Sequence, residues 1–279
     1  MGTMVPSSSP ACLIIGIDSP VGAYLARLLD ARGVALAGVG APGLVTKLGI
    51  VAAITPVSTA DIAAAAGEAR LVLAISDGNA AAADRLAVAL DAGKTTARLV
   101  HVADVAALGS APVRDSIARI TAARQAGGEA ANLLLEAHDS RFGAATALTA
   151  QIIGIAHAAA QSGDDGAGAA HQVREIAETG PRDWGWTPEY VDAVQRLATR
   201  EQLVDMVIAS GHTLTADEVA HAAFAYFRRD AAAHLRITGT GTTVPVFDPA
   251  ALKAATGWRA STWGADLVKA LCEGAEDRS

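Results

Sequence analysis

Ala11-Cys12-Leu13-Ile14-Ile15-Gly16-Ile17-Asp18-Ser19-Pro20-Val21-Gly22 is the stretch that decides the fold. Residues 11–15 form a short apolar run rich in isoleucine, which predicts a strand buried on both faces. Gly16 ends it, residues 21–32 predict a helix, and Gly33 stands where a helix C-cap belongs. Val34 to Val39 predicts the next strand. Strand, glycine-bearing turn, helix and strand in that order open a parallel sheet with helices on its faces.

The alternation continues outward. Leu71 to Ile75 is short and apolar and predicts a central strand, residues 79–92 a helix, and residues 98–102 another strand. A helix is expected over residues 116–140 and a strand over 145–153. This is the pattern of an α/β protein with a Rossmann-type, doubly wound parallel sheet. Residues 1–10 are Ser/Pro-rich and predict a disordered tail, while Gln161 to Gly168 is Gly/Asp-rich and predicts a flexible loop. Residues 190–199 and 217–227 predict helices flanking a strand at 206–209. The expected organisation is a nucleotide-binding domain over 11–155, with 184–210 returning to it. Residues 156–183 and 211–279 form a small, reduced C-terminal lobe.

The 279 residues are 51% hydrophobic and only 4% aromatic, which favours close-packed alanine-rich helices. A net charge of −7 with no basic stripe argues against a nucleic-acid partner. No run of apolar residues is long enough for a membrane span, and residues 1–10 lack the pattern of a signal peptide. Cys12 and Cys272, one in an apolar strand and one in an apolar helix, predict a reduced, cytoplasmic protein. His157, His171, His212, His221 and His234 are scattered without ligand-like pairing, so no metal is expected.

A second block is more specific. Arg182-Asp183-Trp184-Gly185-Trp186-Thr187-Pro188-Glu189-Tyr190-Val191-Asp192 resembles the segment in which GDP-mannose 4,6-dehydratases place a diphosphate-binding arginine before a long helix. Asp248-Pro249-Ala250-Ala251-Leu252-Lys253 with Thr256-Gly257-Trp258 resembles an element near the end of extended short-chain dehydrogenases that act on nucleotide sugars. Gly16 to Gly22 is similar to their Gly-x-x-Gly-x-x-Gly turn, with Ser19 at the middle position. The resemblance therefore covers nearly the whole chain and points to the NAD-dependent epimerase/dehydratase family. It implies NAD or NADP at Gly16, Ser19, Gly22 and Ser76. It also implies a nucleotide-sugar diphosphate on Arg182, whose planar guanidinium suits that task. Ser76, with Asp77 and Gly78, serves equally as a helix N-cap turn. Gly16 and Gly22 serve equally as a tight turn without a ligand. In this turn Pro20 removes a donor and Asp18 sets a carboxylate beside an anion. Gly38 to Pro42 supplies neither the carboxylate nor the arginine that ordinarily grips the ribose after the second strand.

The same resemblance locates a catalytic gap. The family's chemistry needs a tyrosine made acidic by a lysine four residues later, a Ser/Thr hydroxyl, and a glutamate for elimination of water. Counted back from Arg141-Phe142-Gly143, the tyrosine position falls on Arg124 and the lysine position on Gly128. Anchored on Gly109, the hydroxyl position becomes Asp104 and the glutamate position Ala106. His101, Asp104, Ser110, Arg114, Asp115 and Arg124 are expected together at the C-terminal end of the sheet. His101 and Asp104 stand there as an acid/base pair or as solvated loop-edge residues.

The leading expectation is a diverged homologue that binds a nucleotide or nucleotide sugar without redox activity, either alone or as partner of an active paralogue. Its alanine-rich helices suit a homodimer or heteromer. Two alternatives stand beside it: an enzyme with altered, non-redox chemistry using Asp104, His101 or Arg124, and an active dehydratase-like lyase.

Overall fold

The computed structural model describes residues 11–76, 80–91, 97–162, 172–178, 180–241 and 246–276. Asp77, Gly78, the tail at 1–10 and most of the Gly/Asp loop lie outside the described residues.

The chain forms two compact units, residues 1–135 with 191–206 and residues 136–190 with 207–279. The sheet is built from β1 (Cys12–Ile15), β2 (Leu36–Val39), β3 (Ile54–Pro56), β4 (Leu71–Ser76), β5 (Arg98–Asp104) and β6 (Ala130–Leu135), with Met206–Ile208 as a seventh strand beside β6. Its order is Met206–Ile208, β6, β5, β4, β1, β2, β3, and the pairings among β1 to β6 are all parallel. The order reverses between β1 and β4, and a doubly wound sheet offers its ligand crevice outside the strand ends at that reversal. β1, β4 and β5 are buried on both faces, which is why they read as apolar runs.

Two expected elements differ. The helix expected over 116–140 is Ala111–Gln125, followed by β6. Gly127 and Gly128 interrupt it, and Gly127 adopts φ +92°, a conformation that favours glycine. The strand expected over 145–153 is part of the helix Leu148–Ser162. Thr149, Ile152, Ile153, Ala156 and Ala159 are its buried residues, a helical rather than alternating spacing. A strand and four short helical pieces between Gly43 and Glu68 have weak apolar signals and were not expected.

The second unit gathers residues 136–155 and 184–190, which the sequence assigned to the sheet domain, together with most of the C-terminal third. Its core is built by the helices Leu148–Ser162, Ala216–Tyr226 and Gly264–Glu276, through Ile152, Ala156, Val219, Phe224, Leu267 and Leu271 among others. Thr215 starts the second of these with a capping box to Glu218. Short strand pairs complete the unit: Arg174–Ala177 with Leu235–Thr238, His138–Asp139 with Gly185–Trp186, and Arg182–Asp183 with Thr213–Leu214. Among the described residues no helix is long and apolar enough to cross a membrane. Cys12 and Cys272 are free and buried, and burial pushes both thiols up to about 12.

Candidate functional site

The first unit presents the glycine-bearing turn at the end of β1. Gly16 has φ +94°, and a Cβ on Gly22 would stand 2.1 Å from the Gly16 carbonyl oxygen. The turn closes that tightly only with glycine at position 22. Ser19 is the N-cap of the helix Pro20–Asp30: its Oγ accepts from the Gly22 N–H at 3.0 Å and donates to the Gly16 carbonyl at 2.8 Å. Gly16 and Ile17 both donate to the Val39 carbonyl, Ser19 N–H to Gly16 and Ala23 N–H to Ser19. With Pro20 lacking a donor, the N–H groups of Asp18 and Val21 are the two in this turn without a partner among the described residues. Two donors at a helix N-terminus, on a backbone with no intervening side chain at Gly22, suit an anionic oxygen. Asp18 turns its carboxylate toward Gly40 at the end of β2 and toward Arg85, 3.7 Å away.

Next to the turn, Ser76, His101 and Asn132 form a chain across three strands. His101 is fully buried, its Nε2 lies 2.9 Å from Ser76 Oγ, and its Nδ1 lies 2.9 Å from Asn132 Oδ1. The Asn132 amide nitrogen faces the Ile117 carbonyl and Thr121 Oγ1, which assigns its oxygen to His101. An amide oxygen accepts only, so Nδ1 carries the proton and Nε2 accepts from Ser76. Burial lowers the His101 pKa, partly opposed by the Asn132 bond, and keeps the ring neutral. The order is that of a serine nucleophile and its base, but Ser76 is 3% exposed and offers a substrate no approach. The chain satisfies polar groups inside the sheet.

The expected pairing of His101 with Asp104 does not form. The two lie three positions apart in β5 and so on opposite faces, and Asp104 ends the strand half-buried. Ser110 caps the Ala111–Gln125 helix through Val113 N–H. Arg124 is not with this group. It occupies the last turn of the helix that returns from the sheet's C-terminal end, and grips Asp205 with two bonds of 2.6 and 2.8 Å. Asp205 also accepts the Asn132 N–H. Burial raises the Asp205 pKa, but the Arg124 bonds and the Asn132 N–H outweigh it and hold the carboxyl low. Arg124 therefore clamps the start of β6, far from where the expected acid would work.

In the second unit, Asp183 is a hub. It accepts from Ser210 N–H at 2.9 Å, Ser210 Oγ at 2.7 Å, Gly211 N–H at 2.6 Å and Tyr190 Oη at 3.1 Å, and is 2% exposed. Gly185 lies under the Tyr190 ring, where a Cβ would come within 2.1 Å. Burial, then the Asp183 charge, pushes the Tyr190 phenol well up. Glu189 receives N–H and hydroxyl groups of Ser261 and Thr262, and its carbonyl accepts from the Trp258 indole at 3.2 Å. Arg182 precedes this hub half-buried, with no salt bridge to a described residue. Nearby Glu136 is buried. Burial raises its pKa, Ala137 N–H opposes that, Asp183 adds to it and Arg182 opposes it. A separate open cavity of about 550 Å³ is lined by Ser210, His212, Lys253, Arg259, Ser261 and Trp263. Trp263 is 46% exposed and stacks on His212. Among the described residues no group of His, Cys, Asp and Glu could hold a metal.

No protein-family model and no curated protein matches the sequence. Solved structures match in fold. A dTDP-glucose 4,6-dehydratase from Bacillus anthracis, in complex with NAD, matches with TM-score 0.79 at 10% identity, over 96% of this chain and 97% of that one. A dTDP-glucose 4,6-dehydratase from Streptomyces venezuelae gives 0.74 at 14% over 96% and 97%, and a UDP-glucose 4-epimerase from Stenotrophomonas maltophila 0.72 at 15% over 96% and 99%. The chain has the fold of the NAD-dependent nucleotide-sugar dehydratases and epimerases. Its three tyrosines are Tyr24, Tyr190 and Tyr226, and none stands four residues before a lysine.

Asn132 and the place of Asp18 went unread in the sequence. The signal available was a polar residue inside an apolar strand, as at His101 and Asn132, which a buried partner must satisfy.

Proposed function

We propose that the protein binds a dinucleotide at the Gly16–Gly22 turn and a nucleotide sugar through Arg182, and performs no hydride transfer. The observation that carries this reading is the absence of any Tyr-x-x-x-Lys in the sequence, in a chain whose turn keeps both outer glycines. The turn suits the adenosine diphosphate of NAD or NADP: Gly22 lets it close tightly on the Gly16 carbonyl, and the Asp18 and Val21 N–H groups, without a partner among the described residues, are donors for a pyrophosphate oxygen. The cofactor, when bound to an enzyme of this fold, supplies a hydride acceptor. Here Ser76 is bonded to His101 and no phenol–ammonium pair exists to take a proton from a sugar hydroxyl.

Arg182 supports the second half of the reading. Asp183 is already bonded to four donor groups, and burial favours the neutral form of Glu136. Arg182 forms no salt bridge with either carboxylate, which supports a role for its guanidinium on a diphosphate. Its simplest biological form is a partner subunit of an active relative, which predicts co-purification when the two are co-expressed. The direct test is titration of the purified protein with NAD, NADP and nucleotide hexoses by calorimetry, with product analysis of the same mixtures. Saturable binding without a 4-keto-6-deoxy product is expected; no binding, or that product, overturns the proposal.

A further inference from the structure

Resting on the proposed dinucleotide site, we infer that Asp18 is the residue that grips the adenosine ribose and selects NAD over NADP. The end of β2 has no acidic side chain of its own, since Gly40, Ala41 and Pro42 follow Val39. Yet the structure places a carboxylate there. Gly16 and Ile17 both donate to the Val39 carbonyl, at 2.9 and 3.2 Å, which straps the turn to the end of β2. Asp18, the next residue, then packs on Gly40. Its Oδ1 lies 2.6 Å from where a Cβ at position 40 would sit, so only glycine leaves the carboxylate this place. Arg85 from the Ala80–Asp91 helix faces the other oxygen at 3.7 Å and orients the group.

A carboxylate beyond the second strand has a defined use in such a sheet. Its two oxygens accept from the ribose 2′- and 3′-hydroxyls of NAD, and its charge repels the 2′-phosphate of NADP. In this chain the group reaches that position from the first strand's turn rather than from the second strand's end. The Asp18 carboxylate, which stands near the pyrophosphate site, thereby gains a ribose contact. Asp18 is exposed in a turn, so replacing its side chain is expected to leave the fold intact.

The experiment is calorimetric titration of wild-type, D18N and D18A proteins with NAD and, separately, NADP, with circular dichroism to check folding. Wild type is expected to bind NAD at least tenfold more tightly than NADP. D18N is expected to weaken NAD by about tenfold or more, the loss of a charge-assisted hydrogen bond, and to leave NADP unchanged or tighter. D18A is expected to follow D18N. NAD binding that D18N leaves unchanged or improves sinks this inference alone, because the carboxylate would then only repel phosphate. Tighter NADP than NAD in wild type sinks it as well. If neither dinucleotide binds wild type, the inference falls together with the reading it rests on.

Discussion

The Arg182–Tyr190 block of the second unit and the sheet end of the first carry buried polar networks of similar extent, yet only the former was recognisable as a motif. In that block Asp183 ties Ser210, Gly211 and Tyr190, Gly185 makes room for the Tyr190 ring, and Glu189 holds Ser261 and Thr262. Most of its identity is construction, and Arg182 makes no salt bridge to a described residue. At the sheet end the network is Ser76–His101–Asn132, made of residues that match no motif.

That contrast can be broken in order of size. Asp183→Ala takes the acceptor from the Ser210 and Gly211 N–H groups and the buried Tyr190 hydroxyl and should destabilise by about 4 kcal/mol; a urea midpoint close to wild type would show the hub to be incidental. His101→Ala, which strands Ser76 and Asn132, should cost about 2–4 kcal/mol, read by the same unfolding curves. Ser19→Ala removes one cap and should cost about 1 kcal/mol. Arg182→Ala should change stability by no more than about 0.5 kcal/mol while abolishing nucleotide-sugar binding in calorimetry. Arg124→Ala breaks an exposed pair, should cost at most about 1 kcal/mol, and should leave dinucleotide affinity unaltered.

The two networks also differ in sign with pH. His101 has a lowered pKa, so its contribution is present above the ordinary value of 6.5 and is lost as pH falls through the lowered one. Glu136 has a raised pKa, so its contribution is present below the ordinary value of 4.5 and is lost as pH rises through the raised one. Unfolding free energy measured against pH should therefore lose its acid-side decline in His101→Phe. Glu136→Gln should lose the decline on the rising side. Unchanged profiles in both variants would show that neither group titrates on folding.

The doubly wound sheet was legible because β1, β4 and β5 are buried on both faces and so read as apolar runs bounded by turn residues. Leu148–Ser162 was misread for the same reason: an apolar run of alanine and isoleucine looks alike whether it alternates or turns, and only tertiary packing of Ile152, Ala156 and Ala159 decides. Arg124 was misplaced because its position was counted along a helix that in fact ends at Gln125. The carboxylate beside the end of β2 was not foreseen there because it comes from Asp18, across the turn from the strand where sequence order would seek it. Long-range juxtapositions of that kind leave no local periodicity to read.

The most direct single measurement is the nicotinamide absorbance of the protein mixed with NAD and, in turn, dTDP-glucose, UDP-glucose and GDP-mannose, followed over many hours at saturating dinucleotide. The account predicts a spectrum that stays that of the oxidised ring and sugars recovered intact. Reduced nicotinamide, or recovery of a keto sugar, would contradict it.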